Sequence, residues 1–275
     1  MTDWTSYAWL IGLGLATGGY GTLIGAGGGF VLMPILLVLY PAESPHTLTA
    51  ISLAVVFFNA ASGAQAYALM KRIDYRAGLL FAVTTVPGAV VGALTTSFIP
   101  RRAFDLVFGV LMVAVAAVLV LRPRPHSTPS RRSRVKGIHR QLTDASGETF
   151  DYTFDPWLGM LLSLGVGYLS SLLGIGGGII HVPILTYLLG FPVHVATATS
   201  HFLLAIMAFA GSAVHVVNGA FARGVHRTVS LAAGALVGAQ VGARLSNRIR
   251  AVWIMRSLAL ALAVLGVRVM MTALA

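Results

Sequence analysis

Two glycine clusters carry the clearest chemical potential in this sequence. Gly25-Ala26-Gly27-Gly28-Gly29 and Gly174-Ile175-Gly176-Gly177-Gly178 are each followed, five residues on, by a proline, Pro34 and Pro183. Glycine interrupts a helix and lets a ligand approach the main chain closely. A helix restarting near Phe30 or near Ile179 would offer unpaired N–H groups and the positive end of its dipole. Together these hold an anion such as a sulfonate or carboxylate without a buried Lys or Arg. Gly27, Gly28, Gly29, Gly176, Gly177 and Gly178 are therefore candidate substrate-binding residues. The clusters lack the Lys-Ser/Thr of a phosphate-binding P-loop, and no strand precedes them as a dinucleotide fingerprint requires. The competing reading is close helix packing, which does not need triple glycine ahead of a shortened helix.

Further donors lie within apolar runs. Ser52 and Asn59, seven residues apart, share a helix face, and Thr49 adds to it. Thr197, Ser200 and Gln240 complete the candidate set, with His201 and His181 as titrating groups. His215 is nearer the end of a run, where an interfacial role is expected. For each hydroxyl the ordinary alternative is helix packing, and for each histidine a neutral, hydrogen-bonded ring. Arg256 and Arg268 are expected to snorkel. Asp3, Glu43, Asp74 and Asp105 fall at ends or loops, and Asp144, Glu148, Asp151 and Asp155 in a central linker. No carboxylate is expected mid-membrane, which argues against a carboxylate proton relay and suits an anionic ligand. No catalytic residue, metal or cofactor is expected, and the absence of cysteine excludes disulfides and thiolate zinc sites.

The elements that position these residues follow from composition. Of 275 residues, 57% are apolar and only 10% charged, with a mean hydropathy of +0.84. A soluble domain carries about 25% charged residues, and a disordered chain is far less apolar. The sequence thus reads as an all-α polytopic membrane protein. Its net charge of +11 sits mostly between apolar runs and in the linker, which indicates membrane topology and no nucleic acid. The N-terminus lacks the cationic region of a signal peptide, so the first run is read as a retained segment. Apolar runs occupy residues 7–24, 30–40, 48–70, 77–98 and 103–121, then 157–173, 179–189, 195–217, 228–245 and 253–275. Most approach the ~20 residues a bilayer needs, but 30–40 and 179–189 reach only about half way.

The two halves repeat each other. The glycine clusters match, as do Pro34-Ile35-Leu36 and Pro183-Ile184-Leu185. After a one-residue slip His46, Thr49, Ser52 and Gly63 match His194, Thr197, Ser200 and Gly211. Each repeat is expected to hold four long helices plus one half-length helix after a Gly-rich break, giving 1–121, a polar basic linker at 122–156, and 157–275. The linker carries Arg122, Arg124, Arg131, Arg132, Arg134, Lys136 and Arg140, then alternating residues around an Asp/Gly turn. It is expected to form a small cytoplasmic β-hairpin whose simplest role is to join the halves. Broken or re-entrant short segments give inverted repeats; short segments that only extend their predecessors give parallel ones. Inversion places Arg244, Arg248 and Arg250 inside, the parallel arrangement Arg223 and Arg227. Charge does not decide, and the paired short segments favour inversion.

The duplicated Gly-x-Gly-Gly-Gly with its proline, Thr49-x-x-Ser52, Thr197-x-x-Ser200 and Pro87-Gly88-Ala89-x-x-Gly92 resemble the TauE/SafE sulfite exporter family, also called the toluene-sulfonate uptake permease family. The resemblance covers both halves. It implies a secondary transporter of sulfite, sulfonates or related small organic anions, with the anion and the lipid bilayer as partners. Proton or sodium coupling and a homodimer are both compatible with the sequence, and the direction of transport is not written in it. The alternatives are a transporter of another small carboxylate or anion, or a membrane-embedded enzyme acting on a lipid-linked phosphate. The enzyme would want buried carboxylates or a Ser/Arg cluster.

Overall fold

The computed structural model describes residues 4–121, 137–220, 224–246 and 251–274. The cationic stretch 122–136, Asp3, Arg223, Arg248 and Arg250 lie outside them. In order the elements are α1 (Trp4–Ile24), α2 (Gly29–Leu39), α3 (Pro45–Leu69), α4 (Tyr75–Thr95), α5 (Arg101–Leu121), β1 (Ile138–Thr143) and β2 (Thr149–Phe154). Then come α6 (Pro156–Leu173), α7 (Gly178–Pro183), α8 (Val193–Val217), α9 (Val225–Ser246) and α10 (Ala251–Leu274). A 3₁₀ turn, Thr96–Phe98, extends α4, and a π-helical stretch, Ile184–Leu188, carries α7 on after Pro183.

Local signals set the helix starts. Ser44 caps α3, accepting from Thr47 N at 3.2 Å ahead of Pro45. Asp74 caps α4 through Arg76 N and Ala77 N, and Asp155 caps α6 through Trp157 N and Leu158 N. A side-chain acceptor at this position satisfies amides that have no helical partner.

Five described helices are long and apolar enough to cross a membrane: Pro45–Leu69, Tyr75–Phe98, Pro156–Leu173, Val193–Val217 and Val225–Ser246. Shorter apolar helices run over Gly29–Leu39 and Gly178–Leu188. Leu79, Val83, Leu161, Val217, Val229 and Leu260 are exposed on helix surfaces. So many bare aliphatic side chains suit lipid and not water. The protein is a multi-pass membrane protein.

Helices pair across the two halves. α1 packs against α9 and α4 against α6, both with their chains running the same way: a Cβ on Gly234 would strike Ile11 O and one on Gly242 would strike Gly19 O. In the second pair, Gly88 meets Leu164 O and Gly92 meets Tyr168 O in the same manner. Glycine at these points lets backbones touch, the usual route to tight association in lipid. α3 runs antiparallel to α8, with Gly63 against His201 and Gly211 against Leu53, and α5 lies along α10.

The two ends of the bundle are distinct. At one end Tyr7 lies against His226, Arg227 pairs with Glu43 at 3.0 Å and covers the Tyr40 ring, and Arg101 donates to Leu37 O and Glu43 O. The start of α1 and the finish of α2 therefore share this end. At the other end β1 and β2 form an antiparallel hairpin with Arg140 opposite Tyr152. The start of α6 and the finish of the α7 segment share that end, because Phe191 packs on Tyr152 and Phe154 at 4.5 and 5.1 Å between ring centroids.

The hairpin is docked as well as joined. Arg140 Nε and Nη2 each donate to Asp74 at 2.9 Å, and Tyr152 OH donates to Asp74 Oδ2 at 2.7 Å. Burial pushes the Asp74 carboxyl up, but the bonds from Arg140, Tyr152 and Ala77 N outweigh it and hold the group below its ordinary value. Arg72 grips Asp144 at 2.8 Å. Burial likewise opposes ionisation of Asp144, yet Ser146, Arg72 and the Glu148 amide bring its pKa down to about 2. Ala145 N donates to Met70 O, so the hairpin is pinned to the α3–α4 connection at three residues, Met70, Arg72 and Asp74.

Candidate functional site

The glycine clusters break the chain as the spacing predicts. After Ile24 the backbone turns through Gly25, Gly27 and Gly28 at φ +84, +72 and +76°, values open to glycine and costly for other residues. Ala26 N and Gly27 N both donate to Gly21 O, at 2.7 and 3.2 Å, which folds the break back onto α1. α2 then starts at Gly29, and the amides of Gly28, Gly29 and Phe30 make no backbone hydrogen bond among the described residues. The second break turns through Gly174 and Gly176 at φ +67 and +66°, with Ile175 N donating to Ser170 O at 3.2 Å. Gly177 heads α7 at φ −11°, so the two breaks are similar without being copies.

The breaks touch each other. Ser52 Oγ on α3 donates to Gly174 O at 2.5 Å, and Ser200 Oγ on α8 donates to Gly25 O at 3.2 Å. A Cβ on Gly178 would strike Gly25 O, and one on Gly29 would come within 2.7 Å of Ile175 O. Thr49 and Thr197 stand beside Gly174 and Gly25, and the buried side chains of Val56 and Leu204 lie against both Gly27 and Gly176. Each half therefore supplies the helix that clamps the other half's break.

The remaining candidates divide by whether their polar atoms are occupied. Asn59 is saturated: Oδ1 accepts from Thr22 at 3.0 Å, and Nδ2 donates to Gly18 O and Ala235 O. His201 Nε2 lies 3.2 Å from Thr22 Oγ1 while its Nδ1 has no partner among the described residues, and Tyr67 OH donates to Thr22 O at 2.7 Å. His181 Nε2 lies 3.2 Å from Ser163 Oγ, and Gln240 Nε2 donates to Ser62 O and Oγ. By contrast the buried hydroxyls of Thr49, Thr197, Ser170 and Ser171 have no partner among the described residues. Ser170 faces Gly177 and Ser171 faces Gly211. A buried hydroxyl without a partner is costly, so these four atoms mark where a polar ligand or water would be received.

Sequence reasoning named Thr49 and Thr197 but passed over Ser170, Ser171, Thr22 and Tyr67. The available signal was position: Ser170 and Ser171 precede the second cluster by four and three residues, and Thr22 precedes the first by three. The hairpin contacts were missed too, although Phe150, Tyr152 and Phe154 on alternate positions of β2 announced a buried face. Among the described residues every carboxylate lies near a helix end, in a connection or in the hairpin; Asp105, one turn into α5, pairs with Arg101 at 3.0 Å. Arg256 and Arg268 are exposed on α10. An apolar groove of about 390 Å³ between α4 and α8, lined by Val90, Leu94, Ala213 and Val217, lies apart from the breaks.

A family model described as sulfite exporter TauE/SafE matches residues 10–269. The chain is 32% identical over 267 residues to the probable membrane transporter protein YunE of Bacillus subtilis (strain 168), covering 95% of this chain and 96% of that one. It is 27% identical over 231 residues to a probable membrane transporter protein of Xylella fastidiosa (strain Temecula1), covering 83% and 80%. It is 27% identical over 196 residues to the probable membrane transporter protein MJ0441 of Methanocaldococcus jannaschii, covering 70% and 65%. No solved structure matches the chain.

Proposed function

The chain belongs to the sulfite exporter TauE/SafE family of membrane transporters, and from that premise we propose that it carries a small sulfur-containing anion across the cytoplasmic membrane by alternating access. The substrate is of the sulfite, sulfonate or sulfoacetate type. One observation carries the reading: two glycine breaks meet in the protein interior beside four buried, unpartnered hydroxyls, with free amides at the head of α2. An anion placed there would be held by Gly28, Gly29, Thr49, Thr197, Ser170 and Ser171, through neutral donors and the α2 dipole. The placement of every described carboxylate away from the breaks spares the anion close repulsion. Asn59, Ser52, Ser200, His181, His201 and Gln240 hold the frame around it.

Inverted repeats fit the packing. α1 with α2 opens and closes at one end, α6 with α7 at the other, and α3 is antiparallel to its sequence counterpart α8. Such a pair of re-entrant breaks, one facing each side, is what alternating access around a shared site requires. The cation-rich linker argues for a cytoplasmic hairpin. The test is flux in proteoliposomes with sulfite, sulfoacetate, taurine and thiosulfate. Saturable uptake of at least one anion, competed by the others, is the expected result; no protein-dependent uptake of any of them overturns the reading.

A further inference from the structure

Two histidines meet away from the glycine breaks. His46 stands in the first turn of α3 and His215 in the last turn of α8, with ring centroids 4.8 Å apart and planes tilted by 59°. His215 is fully buried and His46 half-buried. Among the described residues neither ring nitrogen of His215 has a hydrogen-bond partner, nor does His46 Nε2. Ser212, one turn before His215, also presents a buried hydroxyl without a partner. His181 and His201 each have a hydroxyl within 3.2 Å, although His201 Nδ1 is also without a partner among the described residues; only in His215 are both ring nitrogens unmet. A neutral imidazole carries one donor and one acceptor, and burying both unmet is unfavourable.

We propose that His46 and His215 form a proton-binding site in which the facing imidazoles share one proton, taken up and released together with the transported anion. The inference rests on the anion-transport reading above. One proton suits the pair because a ring N–H can donate to the facing ring nitrogen, whereas a second would set two cations side by side. The proton enters from the end of the bundle where His46 is half-exposed.

Among the described residues no carboxylate at this end is free of a cationic partner. Among the described residues the charged and titratable groups at this end are Tyr7 on α1, Tyr40 and Glu43 on the α2–α3 connection, Arg101, Arg102 and Asp105 on α5, and His226 and Arg227 on α9. Glu43 pairs with Arg227 and Arg101 with Asp105, and among the described residues neither imidazole makes an ion pair. Farther along the two helices that carry the pair lie Tyr67 on α3 and His194 and His201 on α8. A charged pair therefore calls for an anion from outside, which ties protonation to substrate. The helices are also those that clamp the breaks: α3 carries Thr49 and Ser52, and α8 carries Thr197 and Ser200. A proton that draws the rings together acts on the α3–α8 crossing, and so on both clamps.

The experiment uses the full chain in proteoliposomes, with sulfite as the probe anion and a trapped pH indicator. Wild-type protein should move protons with sulfite. His46→Gln and His215→Gln should each lower uptake driven by a pH gradient about tenfold, while sulfite exchange at equal pH stays within about twofold of wild type, which also certifies the fold. Gradient-driven uptake unchanged in both variants, or uptake driven only by a sodium gradient, overturns the proposal. If wild-type protein moves none of the panel anions, the transport reading fails and the pair is judged separately. Nitrogen-15 NMR of labelled histidine in detergent should then show one shared titration, lost in His215→Gln; no such step between about pH 4 and 9 removes the site.

Discussion

Ser52 Oγ donates to the main-chain carbonyl of Gly174, 122 positions away, at 2.5 Å. With its counterpart, Ser200 to Gly25, it makes each break depend on a helix of the opposite half. The break leaves carbonyls without helical partners, and a serine on a crossing helix satisfies one of them. Ser52→Ala strands that buried carbonyl, at a cost of about 1–3 kcal/mol. A lowered apparent unfolding temperature in detergent, by several degrees, is expected, with a smaller fall for Ser200→Ala, whose bond is longer. Equal stability to wild type in both would remove the clamp.

Gly28 and Gly177 should respond differently to alanine. Gly28 sits at φ +76°, and a Cβ there would come within 2.5 Å of Thr17 O. Gly177 lies at negative φ, and its Cβ would meet the Ser170 hydroxyl at 2.8 Å and the end of Met207 at 3.1 Å, both able to turn aside, with Val166 Cγ1 also at 3.1 Å. Gly28→Ala is expected to cost about 1–3 kcal/mol in backbone strain and to abolish flux. Gly177→Ala should leave the fold intact and lower anion uptake by crowding Ser170. Uptake assays with size-exclusion profiles on both variants check this.

Occupied and unoccupied polar groups separate structural from binding roles. Thr49→Val and Thr197→Val remove hydroxyls that have no partner, so stability should hold or rise by about 1 kcal/mol, while sulfite affinity falls about tenfold. Asn59→Ala breaks three bonds and should destabilise by about 2 kcal/mol or more. Calorimetric anion titration beside thermal unfolding distinguishes them; Thr variants that bind normally would return those hydroxyls to packing.

The hairpin should loosen in acid. The Asp144 carboxyl is held at about 2, below the ~3.9 of an unfolded chain, and Asp74 is shifted in the same direction. A group depressed on folding stabilises fully above its unfolded pKa and loses that contribution as pH falls through the folded value. Docking should therefore be unchanged above about pH 5 and weaken progressively from about pH 4 toward 2. Protease nicking of the 137–154 segment by an acid-active protease should rise over that window. Asp144→Asn should show the loosened pattern already at neutral pH; wild-type resistance in that variant would discount the Arg72 contact.

The sequence by itself determined the membrane class, the places of the interruptions and the existence of the hairpin. Each follows from a local cause: apolar runs that only lipid tolerates, glycine triplets that leave the helical backbone, and alternation around Asp144-Ala145-Ser146-Gly147 that fits a turn. It also placed the described acids near helix ends, in connections and in the hairpin, because a carboxylate within an apolar run would be visible as such. Only the tertiary structure decided which hydroxyls are spent. Asn59 and Thr49 look alike as donors on one helix face, yet Asn59 meets carbonyls of α1 and α9 while Thr49 meets none. That difference depends on how closely Gly18 and Ala235 approach, a distance no spacing in α3 encodes. The same holds for Arg140 with Asp74 and for His46 with His215: such pairs span 66 and 169 positions, the first made by the hairpin docking on the α3–α4 connection and the second by the crossing of α3 and α8.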